Sequence, residues 1–156
     1  MVLQIIVNDY VNFGLYIYIC FLPLLILYIP LNKSTPTTMI FAFALGLLID
    51  VLSDGILGLN ASASVVLAAI KKPLFSITIN KDNYESINIP TIKEVGISKY
   101  LKYTSASIFV FLLVYIFFDC ISVRPISFVI AKLALSVIAN VIAVLIISYS
   151  LLINKR

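Results

Sequence analysis

Apolar residues along this chain come in long unbroken runs, not in the regular alternation with polar positions that marks a helix or strand with one wet face. A helix needs about 20 apolar residues to cross a hydrocarbon core, with roughly 17 to 25 tolerated. Five runs approach that length: 13–31, 37–52, 56–70, 104–118 and 126–153. Pro23 lies inside the first and predicts a kink, because it removes a backbone donor. The third is short, and Lys71 and Lys72 at its end are expected to extend its reach by snorkelling. The pattern predicts an all-α, polytopic transmembrane helix bundle, one integral membrane domain over residues 1–156, with five spans.

The polar positions then set the orientation. Residues 71–103 form the only long polar stretch and hold six of the eleven basic residues, so the positive-inside rule makes this a cytoplasmic basic loop. By alternation, residues 32–35 and the terminal Asn154, Lys155 and Arg156 share that face, giving a cytoplasmic C-terminus. Residues 50–55 and 119–125 fall on the other. Nine of eleven basic residues land on one side, with Asp9, Asp50, Asp54 and Asp119 opposite. Within the loop, Thr91-x-x-Glu94 after Pro90 reads as a capping box. Ile92, Val95 and Leu101 recur at helical spacing among Lys93, Lys99 and Lys102, predicting a short amphipathic helix. It serves either as a lead-in to the fourth span or as a docking surface for a cytoplasmic partner. The opening MVLQIIVNDY is too short to span and lacks the charged start of a signal peptide. It resembles the end of a helix, and a further N-terminal span is expected upstream.

Composition narrows the chemistry. Hydrophobic residues make up 62% of the chain and charged ones 12%, against about 25% charged in soluble proteins. The mean hydropathy of +1.14 leaves too little polar surface to coat a globule in water. There is no histidine, which excludes serine–histidine and metal–histidine catalysis. Cys20 and Cys120 lie in apolar runs without CxxC spacing and read as packing residues. No cofactor or metal is implied.

Against that background the buried polar residues stand out. Ala42, Gly46 and Asp50 recur every four positions, so they share one helix face, with Ser53 and Asp54 one turn on. Small residues in that row admit a neighbouring backbone. Asp54-Gly55 is a turn signal, and Gly58 to Asn60 opens the next helix, giving a tight hairpin. Asp54 is expected to solvate and cap the turn. Asp50 is expected to hydrogen-bond inside the bundle, to contact a partner, or to handle an ion or substrate. In the last run Lys132, Ser136 and Asn140 form a polar stripe, and Lys132 lies about 9 Å along the helix from Ile126. Lys132 is expected to face Asp50 or Asp119. Tyr16, Tyr18, Tyr28, Tyr115, Phe117 and Phe118 read as interface and lipid-facing aromatics. A carboxylate pair of Asp50 and Asp119 would be needed for an intramembrane aspartyl hydrolase, but Asp119 lacks a flanking glycine motif and no oxyanion donor is apparent.

The stretch GLLIDVLSDGILGLNASASVVLAAIKKP, with YIYICFLPLLILYIP before it, resembles the rod shape-determining protein MreD family. The order of elements carries the resemblance over nearly the whole chain: a proline-containing run, a glycine–aspartate helix, the Asp-x-x-Ser-Asp turn, a small-residue helix ending in a basic–proline step, a polar loop and two final runs. It implies six spans in the family, with this sequence lacking most of the first. It also implies a non-enzymatic component of the cell-elongation and lateral peptidoglycan-synthesis complex in the bacterial inner membrane. The partners implied are an MreC-like protein, the MreB-type filament indirectly, a RodA-type glycosyltransferase and its transpeptidase, and membrane lipid, with no nucleic acid. Gly46, Asp50, Ser53, Asp54, Gly55 and Gly58 match the recurring pattern. With Asn60, Lys132 and Asn140 they are the candidate packing or partner surface. The family is also similar in fold to substrate-binding subunits of energy-coupling-factor vitamin transporters, which leaves a small-molecule transporter subunit as the alternative.

Overall fold

A computed structural model of the chain describes residues 17–52, 56–79, 89–120 and 125–153. They form six helices: α1 (Leu22–Leu27), α2 (Thr35–Leu52), α3 (Leu59–Thr78), α4 (Ile92–Val95), α5 (Ile97–Cys120) and α6 (Ile126–Ile153). Four of these, α2, α3, α5 and α6, are long and apolar enough to cross a membrane. The chain is therefore an all-α, multi-pass membrane bundle. The opening decapeptide and the span expected upstream of it lie outside the described residues.

The first expected span is not a continuous helix. Residues 17–20 are non-helical, and α1 is six residues long. Pro23 accounts for part of this difference, because it occupies the first turn of α1, where its missing N–H is no loss. It starts a helix here instead of kinking one.

The other departures concern where helices end. The second run begins upstream of Thr37, because Ser34 starts the helix earlier: its carbonyl accepts from the N–H of Thr38 at 3.1 Å, and its hydroxyl pairs with that of Thr37 at 2.6 Å. α3 runs on past Lys71 and Lys72 and through Pro73 to Thr78, so residues 71–78 belong to the helix and not to the loop. The expected amphipathic helix breaks at Gly96, whose φ of 84° is a left-handed value that a side chain resists. Beyond that break, Lys99 and Lys102 belong to the first two turns of α5 itself. Thr91 sits at the N-cap of α4, but its side chain makes no capping bond, so the capping box is not formed. The last run coincides with α6.

The helices pack in sequence order, α2 on α3, α3 on α5 and α5 on α6, while α1 lies against α2, α3 and α5. Leu22, Ile26, Ile49, Leu67, Ile108, Phe111, Leu112 and Ile116 are fully buried between them. A second cluster gathers Leu27, Leu31, Phe75, Ile79 and Tyr103. Large apolar side chains stand outward on α2 (Ile40, Phe41, Phe43, Val51) and on α6 (Ile130, Ile138, Ile142, Ile146), the arrangement of a bundle solvated by lipid. The hairpin order puts Asp50, Asn60, Asp119 and Lys132 at one end and Lys71, Lys72, Lys99 and Lys102 at the other.

Candidate functional site

α2 and α3 approach so closely that Gly46 has no room for a side chain. A Cβ there would meet the Ala61 Cα at 2.5 Å and the Asn60 carbonyl oxygen at 2.7 Å. This close approach brings Asp50, one turn further on, over the start of α3. The side chain is 1% exposed.

A helix start leaves its first N–H groups without intrahelical acceptors, and in an apolar surrounding each must find one. Asp50 Oδ2 accepts from the N–H of Gly58 at 2.9 Å and of Ala61 at 3.2 Å. Its Oδ1 accepts from the N–H of Asn60 at 3.0 Å and from the Asn60 side-chain amide at 2.9 Å. Leu59 N–H goes to the Ile56 carbonyl at 3.3 Å, and Ser62 N–H, bonded to Gly58 O at 2.8 Å, begins the regular ladder. Every donor of the first turn is thus accounted for, three of them by one carboxylate from the preceding helix. The positive end of the α3 dipole adds to the attraction. Gly58, at φ 97°, supplies the left-handed conformation that turns the chain into the helix.

The network continues through Asn60. Its Oδ1 accepts from the Tyr18 hydroxyl at 3.1 Å, and the Tyr18 ring stacks on Tyr115 at 4.2 Å between centroids. Tyr18 and Tyr115 are therefore interior residues, not lipid-facing ones as expected. Phe117 and Phe118 are more than half exposed, and Tyr28 nearly half.

Tyr18 belongs to the non-helical stretch before α1, whose backbone needs partners at the depth of the bundle. The polar stripe of α6 provides them. The N–H of Tyr18 donates to Ser136 Oγ at 2.9 Å, and the N–H of Cys20 donates to Asn140 Oδ1 at 2.8 Å. The Asn140 amide donates back to the Tyr18 carbonyl at 2.7 Å. One asparagine thus acts as a two-sided strand partner, a role that its place in a polar stripe does not by itself disclose.

Lys132, at the head of the same stripe, pairs with Asp119 at 2.6 Å and not with Asp50. At the opposite end of the bundle, the ammonium of Lys71 does not snorkel. It is 2% exposed and donates to the Ile26 carbonyl at 2.9 Å and to the Ile29 carbonyl, capping the C-terminal end of α1. The sequence carries a signal for this, since Lys71 follows Ala68 and Ala69 on a helix rich in small residues, but nothing in it marks α1 as the target.

Of the candidate residues, the structure joins Gly46, Asp50, Gly58 and Asn60 at one crossing, and Lys132 and Asn140 along one helix. Ser53, Asp54 and Gly55, with the expected solvation of the turn by Asp54, lie outside the described residues. Asp50 and Asp119 have separate partners and no hydrogen bond to each other. Cys20 and Cys120 are buried free thiols. Among the described residues no three His, Cys, Asp or Glu side chains gather as a metal site. Comparison with protein-family models, curated proteins and solved structures finds no match to this chain.

Proposed function

We propose that this chain is a non-enzymatic membrane scaffold of the bacterial cell-elongation complex, the role implied by its sequence resemblance to the MreD family. One observation carries the reading: four polar side chains of the interior, Asp50, Lys71, Ser136 and Asn140, hold the chain's own backbone. Asp50 is engaged by α3, Ser136 and Asn140 by the stretch before α1, and Lys71 by the end of α1. What such a bundle offers outward is apolar helix surface on α2 and α6, suited to other membrane helices. In this reading the lysine-rich end faces the cytoplasm of a plasma membrane. The MreC-like protein and the RodA-type glycosyltransferase with its transpeptidase meet the helix faces, and the MreB-type filament is reached through them.

The test is depletion of the protein in its own host together with affinity purification from solubilised membranes. Loss of rod shape and recovery of an MreC-like protein are expected. Unchanged shape, or recovery of transporter ATPases in its place, would overturn the proposal.

A second reading, a small-molecule transporter subunit, is favoured by one feature. Non-helical backbone at bundle depth, as at residues 17–20, is where such proteins place ligands. A small molecule retained through purification and lost on changing Asn140 would select it.

A further inference from the structure

We infer that residues 17–20 are a two-state strap, strand-like while α6 is seated and coiled onto the start of α1 when α6 moves away, and that Tyr18 carries the change to the α2–α3 crossing. In the seated state Tyr18 and Cys20, two positions apart, both turn backbone groups toward Ser136 and Asn140, as alternate residues of a strand do. The sequence suits both states. Ile17, Tyr18, Ile19 and Phe21 are β-branched or aromatic, which favours a strand, and they belong to an apolar run of the kind that forms membrane helices.

Among the described residues α6 is the least buried of the four spanning helices, and Ile130, Ile138 and Ile142 face outward from it. Its polar side chains are provided for if it leaves. The Asn140 amide already donates to the Ser136 carbonyl of its own helix at 2.8 Å, and a serine in a helix can bond the carbonyl four residues back, here that of Lys132. The backbone of residues 17–20 has no such resource in an apolar surrounding unless it coils. α1 begins without a side-chain cap at Phe21, so turns can be added to it. The carbonyls of Tyr18 and Cys20 would then take the N–H groups of Leu22 and Leu24, four positions on. Pro23 is the counterweight: it has no N–H for the Ile19 carbonyl and its ring crowds that group, which favours the strand-like state while Ser136 and Asn140 are in reach.

The far end of the strap is fixed, because Lys71 holds the carbonyls of Ile26 and Ile29. A change in length is therefore taken up at Tyr18. A strand rises about 3.3 Å per residue and a helix about 1.5 Å, so coiling residues 17–20 shortens the strap by about 7 Å. That withdraws the Tyr18 hydroxyl from Asn60 Oδ1 and its ring from Tyr115. Asn60 is the residue that donates twice to Asp50 at the start of α3. Displacement of α6 on one side of the bundle is thus felt at the α2–α3 crossing on the other.

The experiment is nuclear magnetic resonance of the full chain in lipid nanodiscs. In a Cys120→Ser background isotope-labelled cysteine marks Cys20 alone, whose Cα and Cβ shifts distinguish strand from helix. Strand-like values are expected in this parent. S136A/N140L should move them to the helical range, and P23A, which keeps both α6 side chains, should move them part of the way, so the test survives poor folding of the double variant. The Cys20 amide should stay slow to exchange throughout, while amides of residues 58–61 should exchange faster as the strap coils. Strand-like values unchanged in either folded variant, or random-coil values with a fast-exchanging Cys20 amide, would overturn the switch. Coiling without faster exchange at residues 58–61 would overturn the relay to α3.

Discussion

Asp50 Oδ1 accepts twice from Asn60, once from its backbone and once from its side chain, across the break between α2 and α3. Because three backbone donors of α3 converge on this carboxylate, its loss strands them in an apolar interior. Asp50→Ala is expected to destabilise the bundle by about 3 kcal/mol or more, as for a buried charged group whose partners are left behind. Asp50→Asn keeps one acceptor oxygen and should lose less. Thermal unfolding in detergent orders the two variants, and an alanine variant as stable as the parent would refute the assignment.

Gly46 tests the helix crossing directly. With Ala61 Cα at 2.5 Å from the position of a Cβ, even Gly46→Ala must push α3 away, and the obstruction is backbone that cannot rotate aside. A loss of about 1–3 kcal/mol is expected for Gly46→Ala and more for Gly46→Val. The same shift would lengthen the bonds to Asp50, so Gly46→Ala and Asp50→Ala should be less than additive in a double-mutant melt.

The residues legible from sequence are those whose partners are close in the chain. Gly46 and Asp50 can be placed on one face, and a hairpin inferred behind them, because both signals are local: a four-residue repeat and an Asp-Gly turn. Lys132 and Asp119 lie on either side of one short connection, and their pairing is one of two options that the sequence offers. Tyr18 and Lys71 are misread because their partners belong to, or are decided by, a segment whose conformation no local pattern reveals. The apolar run over residues 13–31, with Pro23 inside it, predicts a spanning helix. That residues 17–20 are not helical is decided by Ser136 and Asn140, more than 100 positions away. Conversely, Ser136 and Asn140 four residues apart in an apolar helix do signal that something polar must face them.

Asn140 gives the third prediction. Asn140→Leu removes an acceptor from Cys20 and a donor to the Tyr18 carbonyl, whereas Ser136→Ala removes one acceptor from Tyr18. Hydrogen bonds of this kind average about 0.6 kcal/mol in a membrane protein, with a maximum near ~1.7, so neither change should unfold the bundle. The local effect is the informative one. In a Cys120→Ser background, maleimide labelling of the buried Cys20 should rise in Asn140→Leu and rise less in Ser136→Ala.

Lys71 gives the fourth. Lys71→Met preserves the packed stem and removes the donors to Ile26 and Ile29, so the end of α1 loses its cap. A destabilisation of about 1–3 kcal/mol is expected, the range for leaving buried acceptors unpaired. Limited proteolysis near residues 28–33 should quicken in this variant. If Lys71→Met left both the melt and the cleavage unchanged, the ammonium would have to be elsewhere.

Asp119 and Lys132 allow a cleaner measurement, because the pair is only partly buried and each member can be neutralised without collapsing a core. The carboxylate is 27% exposed and the ammonium 15%, so solvent screens the attraction in part. Removing one partner leaves the other charge poorly solvated, while removing both restores neutrality. Asp119→Asn and Lys132→Met should therefore each destabilise, and the double variant should lose less than their sum. The coupling should fall within the roughly 0.5–3 kcal/mol found for contacting residues, about the middle of that range for a charge pair at a membrane boundary. A parallel cycle between Asp50 and Lys132 should give no coupling, because Asp50 is held by α3. The contrast between the two cycles is what identifies the partner: coupling of Lys132 to Asp50 and not to Asp119 would reverse the pairing and, with it, the packing of α6 against the rest of the bundle.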